Sequence, residues 1–301
     1  MNITLALGGG GAKGIAHVGI LRRLAQEGFI IRAVAGTSFG GIVAVFHALG
    51  YTPDQIEEEF ASVDQTQLFG YVPEHGPSLL GIAGVAKWLA KEIGDKTFQD
   101  LKIPCTLTAA DLNSGREVLL SEGPLVPAIL ATIALPGIFP ARRMNDWELV
   151  DGGTVDPVPV APARRLFPKL PVVAVVLSEP MGAPALPWGI PVPQGLPASL
   201  LDRMSRSRYG RTLDVFLRSL DIITRAVTEH RLEVDQPEII IRPPVADIDI
   251  LGRVDVHKVS KRGEQAVEAA LPELKKMFTW QYRFRRGLQV RRLRLSNKQE
   301  M

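Results

Sequence analysis

The chain has 301 residues, 46% hydrophobic and 22% charged, a balance that excludes disordered or collagen-like polymers and provides for one large core or two smaller ones. A lone cysteine, Cys105, excludes an internal disulfide, argues against a cysteine-based metal site and fits a reducing compartment best. The net charge of +3 is uneven: Phe278 to Met301 alone carries +6, leaving −3 elsewhere, and no stretch is long and apolar enough to span a bilayer.

Taken in chain order, Asn2 to Leu7 reads as a strand and not a signal peptide, since no basic segment precedes it and a glycine run follows. Gly8 to Gly11 leads into a helix with Ile15, Val18, Leu21 and Leu24 on one face. Phe29 to Ala35 reads as a parallel strand buried on both faces, and Phe39 to Leu49 as an apolar helix. Thr52, Pro53 and Gln55 form a capping-box pattern that starts a third helix, and residues from Gln65 to Pro77 read as loop. Helical spacing returns over Ser78 to Ile93, and Pro104 to Ala110 with Glu117 to Leu120 reads as a hairpin across Asn113-Ser114-Gly115. A helix over Leu125 to Ile133 stops near Pro136-Gly137, and Val172 to Leu177 is a buried strand. Gly182 to Pro197, dense in proline and glycine, suits a surface loop or lid. Beyond it we expect a helix over Arg206 to Leu232, a strand at Glu238 to Ile241 and a helix over His257 to Met277. Alternating elements predict a three-layer α/β/α sandwich on a mostly parallel sheet, with a helical C-terminal extension.

Three local patterns carry chemistry. Gly36-Thr37-Ser38-Phe39-Gly40 matches G-x-S-x-G between a strand and a helix, the context in which such a serine is exposed on a strained turn; the alternative is a glycine-rich turn with an incidental serine. Gly8 to Gly14 contains G-x-G-x-x-G, but Phe29 to Ala35 has no acid to hold a ribose, and Lys13-Gly14 lacks the Ser or Thr of a P-loop. An oxyanion hole is the third reading, in which consecutive glycine amides converge at a helix N-terminus. Asp151-Gly152-Gly153 reads either as a carboxylate presented at a strand end or as an ordinary Asp-Gly turn. Among histidines, His17 and His47 fall in the first two helices, where packing roles are expected, and His75 is in a loop. His230 and His257 follow Asp151, the order a Ser-Asp-His triad needs, so a histidine base stays open on the residues alone. The tail interleaves Arg283, Arg285, Arg286, Arg291, Arg292, Arg294 and Lys298 with aromatic and aliphatic residues, which suits an anionic lipid surface or a solvated end; nucleic acid is a weaker fit.

Together these motifs resemble the bacterial branch of the patatin-like phospholipases over about Ile3 to Leu177. Gly8 to Gly14 is similar to that family's oxyanion loop, with Lys13 as its basic residue; Gly36 to Gly40 to its nucleophile elbow; Asp151-Gly152-Gly153 to its Asp-Gly-Gly motif. The segments at Gly94 to Phe98, Ala110 to Gly115 and Ala131 to Pro140 agree as well. The resemblance implies a Ser38–Asp151 dyad with no catalytic histidine. It also implies an oxyanion hole at Gly9, Gly10 and Gly11, supported by Lys13, Gly14, Gly36, Gly40, Gly152 and Gly153, and hydrolysis of lipid or phospholipid acyl esters without a metal or organic cofactor. Thr132 stands where that family commonly has serine, and Asp156-Pro157 where it more usually has asparagine. The expected organisation is a catalytic core over residues 1–180, where the resemblance lies, and beyond the proline- and glycine-rich boundary a lid and C-terminal extension completing the fold over 181–301. The expected setting is the cytoplasm, with possible peripheral contact at the inner membrane face through residues 278–301. A triad carboxylesterase on an α/β-hydrolase-like fold and a non-catalytic lipid-binding module are the competing readings.

Overall fold

The glycine run after the first strand does not go straight into an α-helix. Gly11, at φ +56°, starts a 3-10 turn over Gly11–Ile15, and the α-helix begins only at Ala16, because glycine pays the largest backbone entropy in a helix and this stretch is rich in it. The structure, a computed structural model, describes residues 1–70, 78–183 and 208–279, apart from the side chains of 208–210 and 213. The expected lid from 184, the tail from 280 and His75 lie outside them.

The strands are β1 (Asn2–Leu7), β2 (Ile30–Thr37), β3 (Cys105–Asp111), β4 (Glu117–Leu120), β5 (Arg142–Met144), β6 (Trp147–Asp151), β7 (Val172–Val175) and β8 (Ile239–Ile241). The helices are α1 (Ala16–Gln26), α2 (Phe39–Leu49), α3 (Pro53–Ser62), α4 (Ala83–Ile93), α5 (Leu125–Thr132), α6 (Val160–Leu166), α7 (Arg208–Asp235) and α8 (Val256–Lys276). The capping box of α3 forms as expected, with Thr52 Oγ1 accepting from Gln55 N and Gln55 accepting from Thr52 N. Helix α4 starts later than the apolar spacing from Ser78 implies, because Gly81 pairs with Gly70 in an isolated bridge. Two elements, β5 and α6, have no counterpart in the sequence reading. β5 is only three residues long, and α6 carries Pro159 and Pro162, which a first helical turn tolerates.

The sheet runs β5-β6-β3-β2-β1-β7-β8, with β4 also on β3. β1–β2, β2–β3, β1–β7 and β7–β8 pair in parallel, and the β3–β4, β3–β6 and β5–β6 pairs are antiparallel. Alternation along β1 divides the core. Ile3, Leu5 and Leu7 face a thick layer with α1, α2, α3, α4 and α8, whereas Ala6, with Ala35 and Ala174 beside it, faces Val160 and Ala163 of α6 and Leu232 of α7. Small side chains on the second face let the short α6 pack close to the sheet. In the first layer Arg22 of α1 binds Asp54 and Glu57 of α3 and Glu264 of α8, tying three helices together.

Register decides what meets at the sheet's centre. β4 occupies one edge of β3 along Leu107 to Ala110; the other edge carries β2 as far as Thr37↔Thr108 and then β6 from Ala109↔Asp151. β2 and β6 run in opposite directions, so their C-terminal ends meet head to head on one edge of β3. The residue after Thr37 is Ser38, and the last residue of β6 is Asp151.

Candidate active site

Ser38 joins β2 to α2 at φ 54°, ψ −129°, a positive φ that non-glycine residues adopt at a cost of about 1–3 kcal/mol and that is typical of functional turns. Its carbonyl accepts from Gly41 N at 2.8 Å, which starts α2, so the hydroxyl sits at that helix's positive end. The turn needs glycine at position 40, because a Cβ there would lie 2.3 Å from Leu7 O. Gly36 is in β2 between Leu7 and Leu107, and Gly14 lies against Phe39.

The glycine loop closes over the same turn. A Cβ on Gly9 would be 3.1 Å from Ser38 Cβ, and one on Gly11 would overlap Ile250 O. Gly9 N donates to Pro157 O at 3.0 Å, so its amide is committed within the protein. Among the described residues the amides of Gly10 and Gly11 have no such acceptor, and both residues line the cavity with Ser38. His17 holds the loop from beneath: its Nε2 donates to Gly8 O at 2.8 Å, and burial drives its pKa down to about 4, so the ring is neutral. This agrees with the packing role expected from its place in the first helix. Lys13 is also buried beside the cavity; desolvation lowers its pKa, Asp221 draws it back up and Arg225 opposes that.

Asp151 is 4% exposed at the end of β6, where Oδ1 accepts from Gly153 N at 2.7 Å in the turn Gly152–Thr154. Burial raises its pKa from 3.8 to about 6, while hydrogen bonding with the Ser38 hydroxyl and Gly153 N pulls the other way. A serine hydroxyl facing a buried carboxylate whose pKa lies near neutrality can lose its proton to it. No histidine lines the cavity among the described residues. His47 is half-buried, with a pKa lowered by desolvation to about 4, and the His257 Nδ1 contacts Glu57 Oε1 at 2.7 Å in the helical layer.

Several residues whose sequence positions give no sign of a contact support the turn. Thr132 Oγ1 accepts from Ser38 N at 2.9 Å and donates to Thr108 O at 2.6 Å, anchoring the turn to β3. Thr37 Oγ1 donates to Asp156 O at 2.8 Å, and the buried Asp156 carboxylate pairs with Arg231 of α7 at 2.9 Å. Desolvation raises the Asp156 pKa and Arg231 opposes the rise. The departures at Thr132 and Asp156-Pro157 therefore lie directly behind Ser38 and Gly9. Their signal in the sequence was position alone.

The cavity above these groups measures about 210 Å³ and is mainly apolar. One arm follows aromatic rings: Phe39 to Phe60 at 5.3 Å between centroids, Phe60 to Trp88 at 5.6 Å, with Trp88 stacked on Phe46 at 5.5 Å. Leu220 and Thr224 of α7 and the 250–254 loop form the opposite wall.

Residues 5–164 match the family model described as patatin-like phospholipase. An uncharacterized NTE family protein of Mycobacterium tuberculosis is 34% identical over 208 residues, covering 68% of this chain and 56% of that protein. Patatin-like phospholipase domain-containing protein 7 of Rattus norvegicus is 29% identical over 182 residues, 58% of this chain and 13% of that protein. The chain thus spans little more than half the length of the first relative and a small part of the second. The crystal structure of VipD from Legionella pneumophila is similar in fold, with a TM-score of 0.50 at 12% identity over 90% of this chain and 66% of that one. With its family match extending over more than half of its length, the chain belongs to the patatin-like phospholipase family.

Proposed function

We propose that the protein hydrolyses acyl esters of lipids, phospholipid or lysophospholipid among them, through an acyl-Ser38 intermediate. Asp151 takes the hydroxyl proton as Ser38 Oγ attacks the ester carbonyl, and the carbonyl oxygen becomes an oxyanion. The amides of Gly10 and Gly11 donate to that oxyanion, each such donor being worth roughly 2.7–4 kcal/mol in the transition state. Gly9 serves the loop, since its amide is already bonded to Pro157. Collapse of the intermediate breaks the ester C–O bond, and the leaving alcohol takes the proton from Asp151. Water then attacks the acyl-enzyme, gives a proton to Asp151, and releases the fatty acid as that proton returns to Ser38.

The observation that carries this reading is the meeting of β2 and β6 on one edge of β3, which puts a strained serine, a buried carboxylate of raised pKa and two open amides around one apolar cavity. The absence of histidine from that cavity's described lining favours the two-residue dyad over a triad. Release of fatty acid from phosphatidylcholine, lysophosphatidylcholine and a series of p-nitrophenyl esters tests it. Turnover by the parent and its loss in Ser38→Ala are expected; equal turnover by both would refute the assignment.

A further inference from the structure

Helix α7 turns a mixed side inward, where Asp221 pairs with Arg225 near Leu217 and Leu220, and an apolar side outward. Leu220 and Thr224 line the cavity and Leu217 is buried, as expected for a stripe facing the interior. The opposite side should then be polar. Instead Val215, Phe216, Ile222 and Ile223 are 63%, 46%, 50% and 55% exposed. At about 100° per residue they fall in one arc of about 120°, with Ser219 among them.

This face is continuous with the cavity rim. A Cβ on Gly137 would lie 3.3 Å from the Phe216 ring, and Leu135 and Phe139 on either side of Gly137 wall the cavity. Leu79, 41% exposed, donates its N–H to Gly137 O at 3.2 Å and extends the patch. The sequence leading into the helix carries charge of one sign: from Arg203 to Arg211 it has four arginines and no acid. An apolar helical face preceded in the sequence by clustered arginines is the pattern of helices that lie in the interface of an anionic membrane. No helix among the described residues is long and apolar enough to cross one.

We propose that the outer face of α7 seats the protein on an anionic lipid surface, so that the cavity mouth opens at the bilayer and an acyl chain enters without crossing water. The choice of lipid as the partner rests on the lipid-ester reading above.

The test uses the full chain carrying Ser38→Ala, with and without Ile222→Ser and Ile223→Ser, and vesicles of equal parts phosphatidylcholine and phosphatidylglycerol. The parent should co-sediment, and the double substitution should weaken partitioning at least about tenfold. Matching thermal melts exclude misfolding as the cause. With Ser38 intact, the same pair should leave hydrolysis of soluble p-nitrophenyl butyrate within about twofold while lowering vesicle hydrolysis in step with binding. Unchanged partitioning would overturn the proposal, as would a parent dimer that the pair converts to monomer without altering sedimentation. If binding falls as expected but no ester is cleaved by any variant, the docking face stands and the hydrolase reading fails.

Discussion

Replacing Asp151 with Asn should abolish hydrolysis and stabilise the protein, by an amount that depends on pH. The carboxyl is 4% exposed and its pKa rises from 3.8 to about 6, chiefly through burial. At about 1.4 kcal/mol per tenfold change in proton affinity, ionised Asp151 costs the folded state about 3 kcal/mol. A carboxyl with a raised folded pKa binds its proton more tightly in the native state, so stability is lost as pH climbs from 3.8 towards about 6 and stays lost above it. Asn does not titrate and keeps the acceptor for Gly153 N. The stability difference between variant and parent should therefore grow by about 2 kcal/mol between pH 4.5 and 7.5. Urea unfolding at both pH values measures it. In the parent, kcat/KM for a soluble ester should rise with pH and level off above about 6, because the carboxylate is the form that accepts the proton. A difference in stability that does not vary with pH would refute the reasoning, since it would mean that Asp151 is not held in a desolvated, ionisable state.

Other outcomes follow from the same contacts. Thr132→Ala removes the acceptor of Ser38 N and should cost about 1–3 kcal/mol and lower kcat, while Thr132→Ser should restore both, measured by urea unfolding and ester turnover. Trp88→Leu opens the end of the aromatic arm and should move the optimum in a p-nitrophenyl ester series towards longer acyl chains; an unmoved optimum would place the acyl chain elsewhere. Arg231→Ala leaves the buried Asp156 without its cation and should destabilise by about 3 kcal/mol, with substantial recovery on adding Asp156→Asn in a double-mutant cycle.

The parts of the site that were legible in the sequence are those whose chemistry constrains their own backbone. Gly36 to Gly40, Gly8 to Gly11 and Asp151-Gly152-Gly153 announce turns, because only glycine fits approaches such as Gly40 to Leu7 O. What brings them together was not legible. The end-to-end meeting of β2 and β6 depends on β3 pairing with both, and register between strands about seventy residues apart for β2 and β3 and about forty for β3 and β6 leaves no local mark. Thr132 and Asp156 look like ordinary polar residues until their partners are seen. The aromatic arm likewise uses Phe60 and Trp88, which in sequence are only apolar positions of two helices. The assignment of Gly9 to the oxyanion hole followed the motif; its bond to Pro157 O involves a residue about 150 positions away and transfers the proposed donor role to Gly10 and Gly11.

The central claim is that Ser38 is a nucleophile activated by Asp151. Intact-mass and peptide analysis after reaction with a fluorophosphonate probe tests it most directly. One adduct on Ser38 in the parent, none in Ser38→Ala and a strongly slowed reaction in Asp151→Asn are the expected results. Modification of another serine, or labelling of Asp151→Asn at the parent's rate, would contradict it.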